Sequence, residues 1–305
     1  MARYQVALIL AMFFWGSSAT LTKTALEGMA PMSLLAIQLA ASSAVLWTVL
    51  LIRGYRRTTG HIRLMLLGFF EPALSYALIN FGLIHTTAAN AALLVGMESF
   101  FAMGLSFIFL RERLSRRMLL ATAMALAGVI LLEGSGATAS LRIGDLLVLA
   151  GVLSAAVYVV LAGSTAKKVD ALTMTTYQFT YGLAFAVPVA CFQWLTGAES
   201  VPIGEPVSAW VVAAVSGIVG YALSFLLYNY AISRVRTSYA AIALNLIPVF
   251  GVAVAVVFLS EGLTIWQVVS GVLIIAGISV YSGHEARDET AGVPDGHGHA
   301  ELERN

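Results

Sequence analysis

Ten apolar stretches, each about as long as a bilayer is thick, leave little of this chain for anything else. They fall at roughly 5–26, 31–52, 62–84, 89–110, 116–133, 143–165, 172–195, 207–232, 237–259 and 265–282. A helix rises about 1.5 Å per residue, so about 20 apolar residues cross a hydrocarbon core of about 30 Å. Over 305 residues, 59% are hydrophobic and 11% charged, against about 25% charged in a soluble domain. In lipid the backbone must satisfy its own polar groups, and runs of this length do so as helices. The expected fold class is therefore all-α integral membrane, with ten transmembrane helices. The first stretch lacks a small-residue cleavage site and leads at once into the second, so it reads as a retained span, not a removed signal. Residues 284–305 are polar and without helical periodicity, which predicts a disordered tail.

Basic residues resist translocation, and their distribution sets orientation. With both termini in the cytoplasm, every one of the 17 basic residues except Lys23 and Arg142 falls in an inner segment. This arrangement also requires an even number of spans.

The chain repeats itself. Placing "ALSYALINFGLIHTTAANAALL" (73–94) over "ALSFLLYNYAISRVRTSYAAIA" (222–243) aligns Asn80 with Asn229 at an offset of 149, and the same offset carries Glu112 onto Glu261. Earlier, "PMSLLAIQ" over "ALTMTTYQ" matches Gln38 with Gln178 at an offset of 140. These registers predict two five-helix units, 1–136 and 137–283, followed by a cytoplasmic tail at 284–305. Five is odd, so the second unit would enter the membrane from the opposite side. Inverted repeats of this kind enclose central sites in secondary transporters, which work by rocking one repeat against the other.

The segment "ALNLIPVFGVAVAVVFLSEGLTIWQVVSGVLIIAGISVY" (243–281) resembles the second repeat of the drug/metabolite transporter superfamily, in its EamA-type branch. The opening "FFWGSSATLTK" (13–23) is similar to that family's first helix. The resemblance implies a ten-helix basket around a central cavity, in a bacterial inner membrane, moving small organic solutes outward. Where the second unit has Ile247-Pro248, the first has Glu98-Ser99, and this pair resembles the aromatic amino acid exporter branch. On that basis the substrates are small amphipathic metabolites, aromatic or neutral amino acids first, moved by alternating access with protons as the candidate coupling ion. A passive facilitator of the same solutes, a carrier of drug cations, nucleosides or sugars, and a non-transporting membrane partner are the alternatives.

Several chemistries lack their residues. The three lysines, Lys23, Lys167 and Lys168, follow Thr, Ala and Lys, so no phosphate-cradling Gly-Lys-Ser/Thr is present. There is no His-Glu-x-x-His, and Asp145 has no second membrane aspartate. No enzyme, cofactor, metal or nucleic-acid partner is expected. Cys191, the lone cysteine, excludes an internal disulfide, and the His-Gly-His at 297–299 lies in the tail.

Two acids stand deep in apolar runs, Glu98 and Glu71. Insertion costs an acid at a helix centre about 2.5–3.5 kcal/mol, so each must face protein or water. Glu98, beside Ser99 and Phe101, is the expected anchor for a substrate amino group. Glu71 precedes Pro72, which cannot donate a helical hydrogen bond; a coupling role and a structural role at this break stand equal. Lys23 either pairs with Glu98, holding it ionised, or snorkels to the outer interface. Tyr76 and Asn80 share a helix face. With Trp15, Phe101, Tyr158 and Asn245 they complete the expected substrate site, rings for an apolar moiety and amides for a carboxylate.

Overall fold

In the computed structural model the chain is described at residues 2–26, 28–54, 58–85, 94–111, 116–133, 143–259, 265 and 268–277. Among them there is no strand. The helices are α1 (Ala2–Leu26), α2 (Pro31–Ile52), α3 (His61–Gly68), α4 (Ser75–His85), α5 (Glu98–Leu110), α6 (Arg116–Glu133), α7 (Ile143–Thr165) and α8 (Ala171–Thr196). They continue as α9 (Val207–Ser216), α10 (Ser224–Ile232), α11 (Thr237–Ala243), α12 (Leu246–Leu259) and α13 (Val268–Gly277). Short π-helical turns, π1 (Phe69–Leu74) and π2 (Gly217–Leu223), join α3 to α4 and α9 to α10. Helix thus occupies each of the apolar stretches. Among the described residues, five helical segments, Pro31–Ile52, His61–Gly82, Ile143–Thr165, Ala171–Thr196 and Val207–Ile232, are long and apolar enough to cross a membrane.

The exterior is apolar. Val6, Ile9, Phe107, Ile108, Phe109, Leu119 and Leu120 are all exposed, the reverse of a soluble surface. The interior instead holds polar side chains, including Gln38, Ser42, Gln178, Ser216 and Asn229, each at most 1% exposed. Small and polar residues at helix contacts are what membrane bundles use where lipid removes the hydrophobic drive between helices.

The packing exchanges the two halves of the chain. α1 lies against α10, α12 and π2, while α7 lies against α4, α5 and π1; α2 packs on α8 and π2, and α8 packs on α2, α3 and π1. The glycines follow the same exchange. A Cβ on Gly217 would stand 2.5 Å from the Gln38 carbonyl oxygen, and one on Gly68 would collide with the Gln178 carbonyl. Gly68 and Gly217 are 149 residues apart, the offset read from sequence. Only a hydrogen side chain permits such an approach.

Both π turns obey this offset: shifting Phe69–Leu74 by 149 gives 218–223, inside π2. π1 follows from its sequence, since Pro72 cannot donate and Glu71 takes an extended conformation, φ −150°, ψ 124°. π2 contains no proline. Its first residue, Gly217, lies against the Gln38 backbone.

At the other break Pro248 has no N–H to offer the Leu244 carbonyl; the chain tightens between α11 and α12, and Ile247 N donates to that carbonyl at 3.0 Å. The Asn245 amide turns back to donate to the Ile242 carbonyl at 2.9 Å.

The ends are fastened by side chains. Asp170 caps α8 by accepting from Thr173 N at 3.0 Å. α2 begins on Pro31 without a local cap; its first amides, Met32 N and Ser33 N, donate to the Glu199 carboxylate at 2.8 and 3.0 Å, and Ser33 Oγ adds a third bond at 2.9 Å. A carboxylate from the other half of the chain thereby meets the positive end of the α2 dipole. Glu112, Glu261 and the 284–305 tail lie outside the described residues.

Candidate functional site

The kink at Glu71 decides the geometry of the interior. Its extended backbone frees carbonyls in π1, and side chains from the second half take them: Ser154 Oγ donates to Phe70 O at 2.7 Å and Gln178 Nε2 donates to Glu71 O at 3.0 Å. Gln178 Oε1 in turn accepts from Asn229 Nδ2 at 3.0 Å. Asn229 also donates to Thr175 Oγ1 at 3.0 Å, and its Oδ1 accepts from Tyr158 OH at 2.8 Å. This network is buried throughout and locks π1, α7, α8 and α10 together.

Rings stand beside it. Trp15 donates through Nε1 to Tyr76 OH at 3.2 Å, and its indole packs edge-on to Phe225 and Tyr228 at 4.4 and 5.8 Å between centroids. Tyr76 faces Tyr221 at 5.1 Å, and Tyr158 contacts Phe225 and Tyr228 at 5.6 and 6.3 Å. α1, α4, α7 and α10 thus each contribute an aromatic to one cluster. Pairs at these separations gain from edge-to-face packing as well as from burial.

Both acids lie near this cluster. Glu71 is 3% exposed, and its carboxyl lies within electrostatic reach of Glu98 and of Tyr76, Tyr158, Tyr221 and Tyr228. Among the described residues, the buried polar atoms without a hydrogen-bond partner include Glu71 Oε2, Ser75 Oγ and Tyr228 OH. Glu98, Trp15, Tyr76 and Tyr221 retain accessible surface while their neighbours Tyr158, Phe225 and Tyr228 are sealed. Half-buried side chains thus stand beside a sealed aromatic cluster.

Of the residues expected from sequence, Trp15, Tyr76, Glu98, Glu71 and Tyr158 converge. Tyr158 spends its hydroxyl on Asn229, so its ring, and not its OH, faces the cluster. Asn80 is half-buried on α4, the same helix as Tyr76. Phe101 packs with Ile79 beside Val148 and Val152 of α7. Asn245 is engaged on both sides, donating to Ile242 O and accepting from Ser99 Oγ at 3.3 Å; it ties α5 to the α11–α12 break. The side chain of Lys23, and with it the Lys23–Glu98 pairing, lies outside the described positions. Sequence reasoning missed Tyr221, Ser75 and Gln178. The repeat register pointed at Gln178 through Gln38, while Tyr221 has Pro72 as its counterpart and carried no signal.

Among the described residues no group of three or more His, Cys, Asp or Glu could hold a metal ion. Two open depressions lie at helix connections: one of about 510 Å³ is lined in part by Lys167, Arg234 and Arg236, another of about 380 Å³ in part by Arg63, Lys168 and Asp170.

Comparison with known proteins fits this architecture. The profile of the EamA-like transporter family matches residues 3–133 and again 142–283. The chain belongs to that family. It is 25% identical over 283 residues to the uncharacterized transporter YyaM of Bacillus subtilis (strain 168), covering 88% of this chain and 90% of the relative. It is 26% identical over 274 residues to a probable terminal-alkyne amino-acid exporter of Streptantibioticus cattleyicolor, covering 89% and 91%. A solved crystal structure superposes with a TM-score of 0.77 at 19% identity, over 95% of this chain and 99% of the other, which shows a shared fold. The EamA-like chain is thus a multi-pass membrane protein from a family of transporters of small molecules.

Proposed function

We propose that this transporter exports small amphipathic solutes bearing an amino group, aromatic and other neutral amino acids first, by alternating access between two inverted five-helix units, 1–136 and 137–283. The observation that carries the reading is the convergence of Glu98 and Glu71 with Trp15, Tyr76, Tyr158, Tyr221 and Tyr228 in the interior, contributed by both halves. An acid in an apolar wall offers an ammonium its counter-charge, and rings offer an apolar moiety a flat surface. The Glu98 carboxyl would receive the amino group. Tyr76, Trp15 and Phe101 would hold the ring, and Asn80 has an amide to offer a carboxylate.

Support for the inverted arrangement comes from the exchanged packing and from the paired π turns at the 149-residue offset. Support for the solute class comes from the relative named as a probable amino-acid exporter. The cytoplasmic placement of both termini rests on the basic residues of the connections, and the bacterial inner membrane on the family and its bacterial relatives. A thermal-shift and uptake screen on purified protein, over amino acids, amines, nucleosides, sugars and quaternary cations, tests the assignment. Aromatic amino-bearing solutes should raise the melting temperature and enter vesicles, and Glu98→Gln should weaken both. A response confined to sugars or nucleosides would overturn it.

A further inference from the structure

Two helix connections of the second half meet at one end of the bundle. Between α7 and α8 the chain carries Ala166 and Lys167; between α10 and α11 it carries Ser233, Arg234, Val235 and Arg236. A glycine brings them together. A Cβ on Gly163, near the end of α7, would stand 3.2 Å from the Cβ of Thr237, the first residue of α11, an approach that only a hydrogen side chain allows. Each connection is closed by its own turn, with Ala166 N donating to Ala162 O at 2.8 Å and Val235 N donating to Ala231 O at 3.1 Å. Buried Ala166 and Val235, with Ser233 and the exposed Lys167, Arg234 and Arg236, line the depression of about 510 Å³.

Three cations share this hollow, and no carboxylate is among the residues that line it. Orientation in a membrane calls for basic residues on one side, but not for gathering them in one hollow away from every acid. The neighbouring depression, on the same α7–α8 connection, shows the contrast: there Asp170 stands with Arg63 and Lys168. Arg3 adds a further cation nearby. Arg234 lies within electrostatic reach of Tyr4, whose hydroxyl accepts from Arg3 at 2.9 Å and whose ring lies 4.8 Å from the Arg3 guanidinium. The same ring packs on Tyr230 of α10 at 4.9 Å. Within about two turns of Arg3 the surface of α1 is apolar, with Val6, Ile9 and Leu10 exposed. An anion-attracting hollow at the helix ends, next to apolar surface along a helix, matches the two parts of a phospholipid.

We propose that this hollow binds the headgroup phosphate of an anionic phospholipid, whose acyl chains lie along the exposed apolar surface of α1. Arg234 and Arg236 hold the phosphate oxygens, each guanidinium offering paired N–H donors, and Lys167 adds a compact charge. A choline headgroup brings its own cation into a hollow without an acid to meet it, so a glycerol headgroup is preferred. The lipid joins the α7–α8 and α10–α11 connections, and it is a resident partner of the protein whatever solute crosses beside Glu98.

The test uses the full chain in maltoside micelles, with phosphatidylglycerol, phosphatidylcholine of the same acyl chains and inorganic phosphate as probes, read by native mass spectrometry and by melting temperature. Phosphatidylglycerol should stay bound, one per chain, under conditions that strip phosphatidylcholine, and should raise the melting temperature. Arg234→Gln combined with Arg236→Gln should weaken its binding about thirtyfold, as expected for the loss of two basic residues at a lipid headgroup. Arg63→Gln combined with Lys168→Gln removes the same charge from the neighbouring depression and should leave binding unchanged. Equal retention of the two lipids, or equal losses in the two double variants, would overturn the site in favour of diffuse attraction. Inorganic phosphate that displaces phosphatidylglycerol at equal concentration would overturn the lipid assignment in favour of a free anion. The wild-type competition between the three probes decides the matter even if a variant does not fold.

Discussion

Replacing Gln178 with leucine tests whether the buried network is what holds the kinked α3–π1–α4 element in place. Leucine fills similar volume and carries no polar atom, so the change deletes two bonds without leaving a large void: Gln178 Nε2 to Glu71 O at 3.0 Å and Asn229 Nδ2 to Gln178 Oε1 at 3.0 Å. The groups left behind, one backbone carbonyl and one amide N–H, are buried. Each unsatisfied group of this kind costs about 1–3 kcal/mol, for a total of about 2–6 kcal/mol. Asn229 keeps its bonds to Thr175 and Tyr158, which places the loss at the lower end. The assay is reversible unfolding in mixed micelles with a steric denaturant, followed by tryptophan fluorescence. Asn229→Leu should cost less when added to Gln178→Leu than alone, because the Gln178–Asn229 bond is lost only once. A Gln178→Leu protein within 0.5 kcal/mol, about the spread of a neutral surface change, or strict additivity with Asn229→Leu, would refute the network as a structural determinant.

Glu199→Gln should destabilise the protein by about 1–2 kcal/mol, since a charged acceptor of two helix amides and a hydroxyl becomes a neutral one; the same unfolding assay reads it, and the loss should shrink with added salt. Gly217→Ala forces a Cβ to within 2.5 Å of the Gln38 carbonyl and should cost about 1–3 kcal/mol by overpacking, visible as a lower melting temperature in detergent. Trp15→Phe removes the Nε1 bond to Tyr76 while keeping a ring, and should weaken solute binding by a few-fold with little change in melting temperature of the empty protein. Glu98→Gln should lower binding of amino-bearing solutes and flatten the pH dependence of their flux; a titration of initial rates against pH checks this.

Much of the fold was legible because apolar runs of bilayer length have one economical solution. Gln38 and Gln178, matched in the sequence, have matching surroundings: each sits where a glycine of the other half, Gly217 or Gly68, presses onto its backbone. The kink at Glu71–Pro72 could be read from proline chemistry. Its counterpart π2 could not, because residues 217–223 contain no proline. The site was legible in kind and only partly in membership. An acid in a membrane span announces itself through its insertion cost, which is why Glu98 and Glu71 stood out. Asn245 and Tyr158 looked equally available, yet nearby backbone and side-chain groups claim their polar atoms. Tyr221 was invisible because an aromatic in an apolar run looks like packing until its neighbours are known. Glu199 went unnoticed for a different reason: its partners lie more than 160 residues away, and a carboxylate near a helix end ordinarily reads as solvated.

The account stands or falls on solute crossing through the interior beside Glu98. The direct measurement is counterflow in proteoliposomes: vesicles preloaded with unlabelled phenylalanine are diluted into a trace of the labelled solute. Alternating access predicts a transient rise of label inside preloaded vesicles above its equilibrium level, absent from empty vesicles and strongly reduced by Glu98→Gln. Label entry equal to that of protein-free vesicles for every solute of this class, or an overshoot untouched by Glu98→Gln, would contradict it.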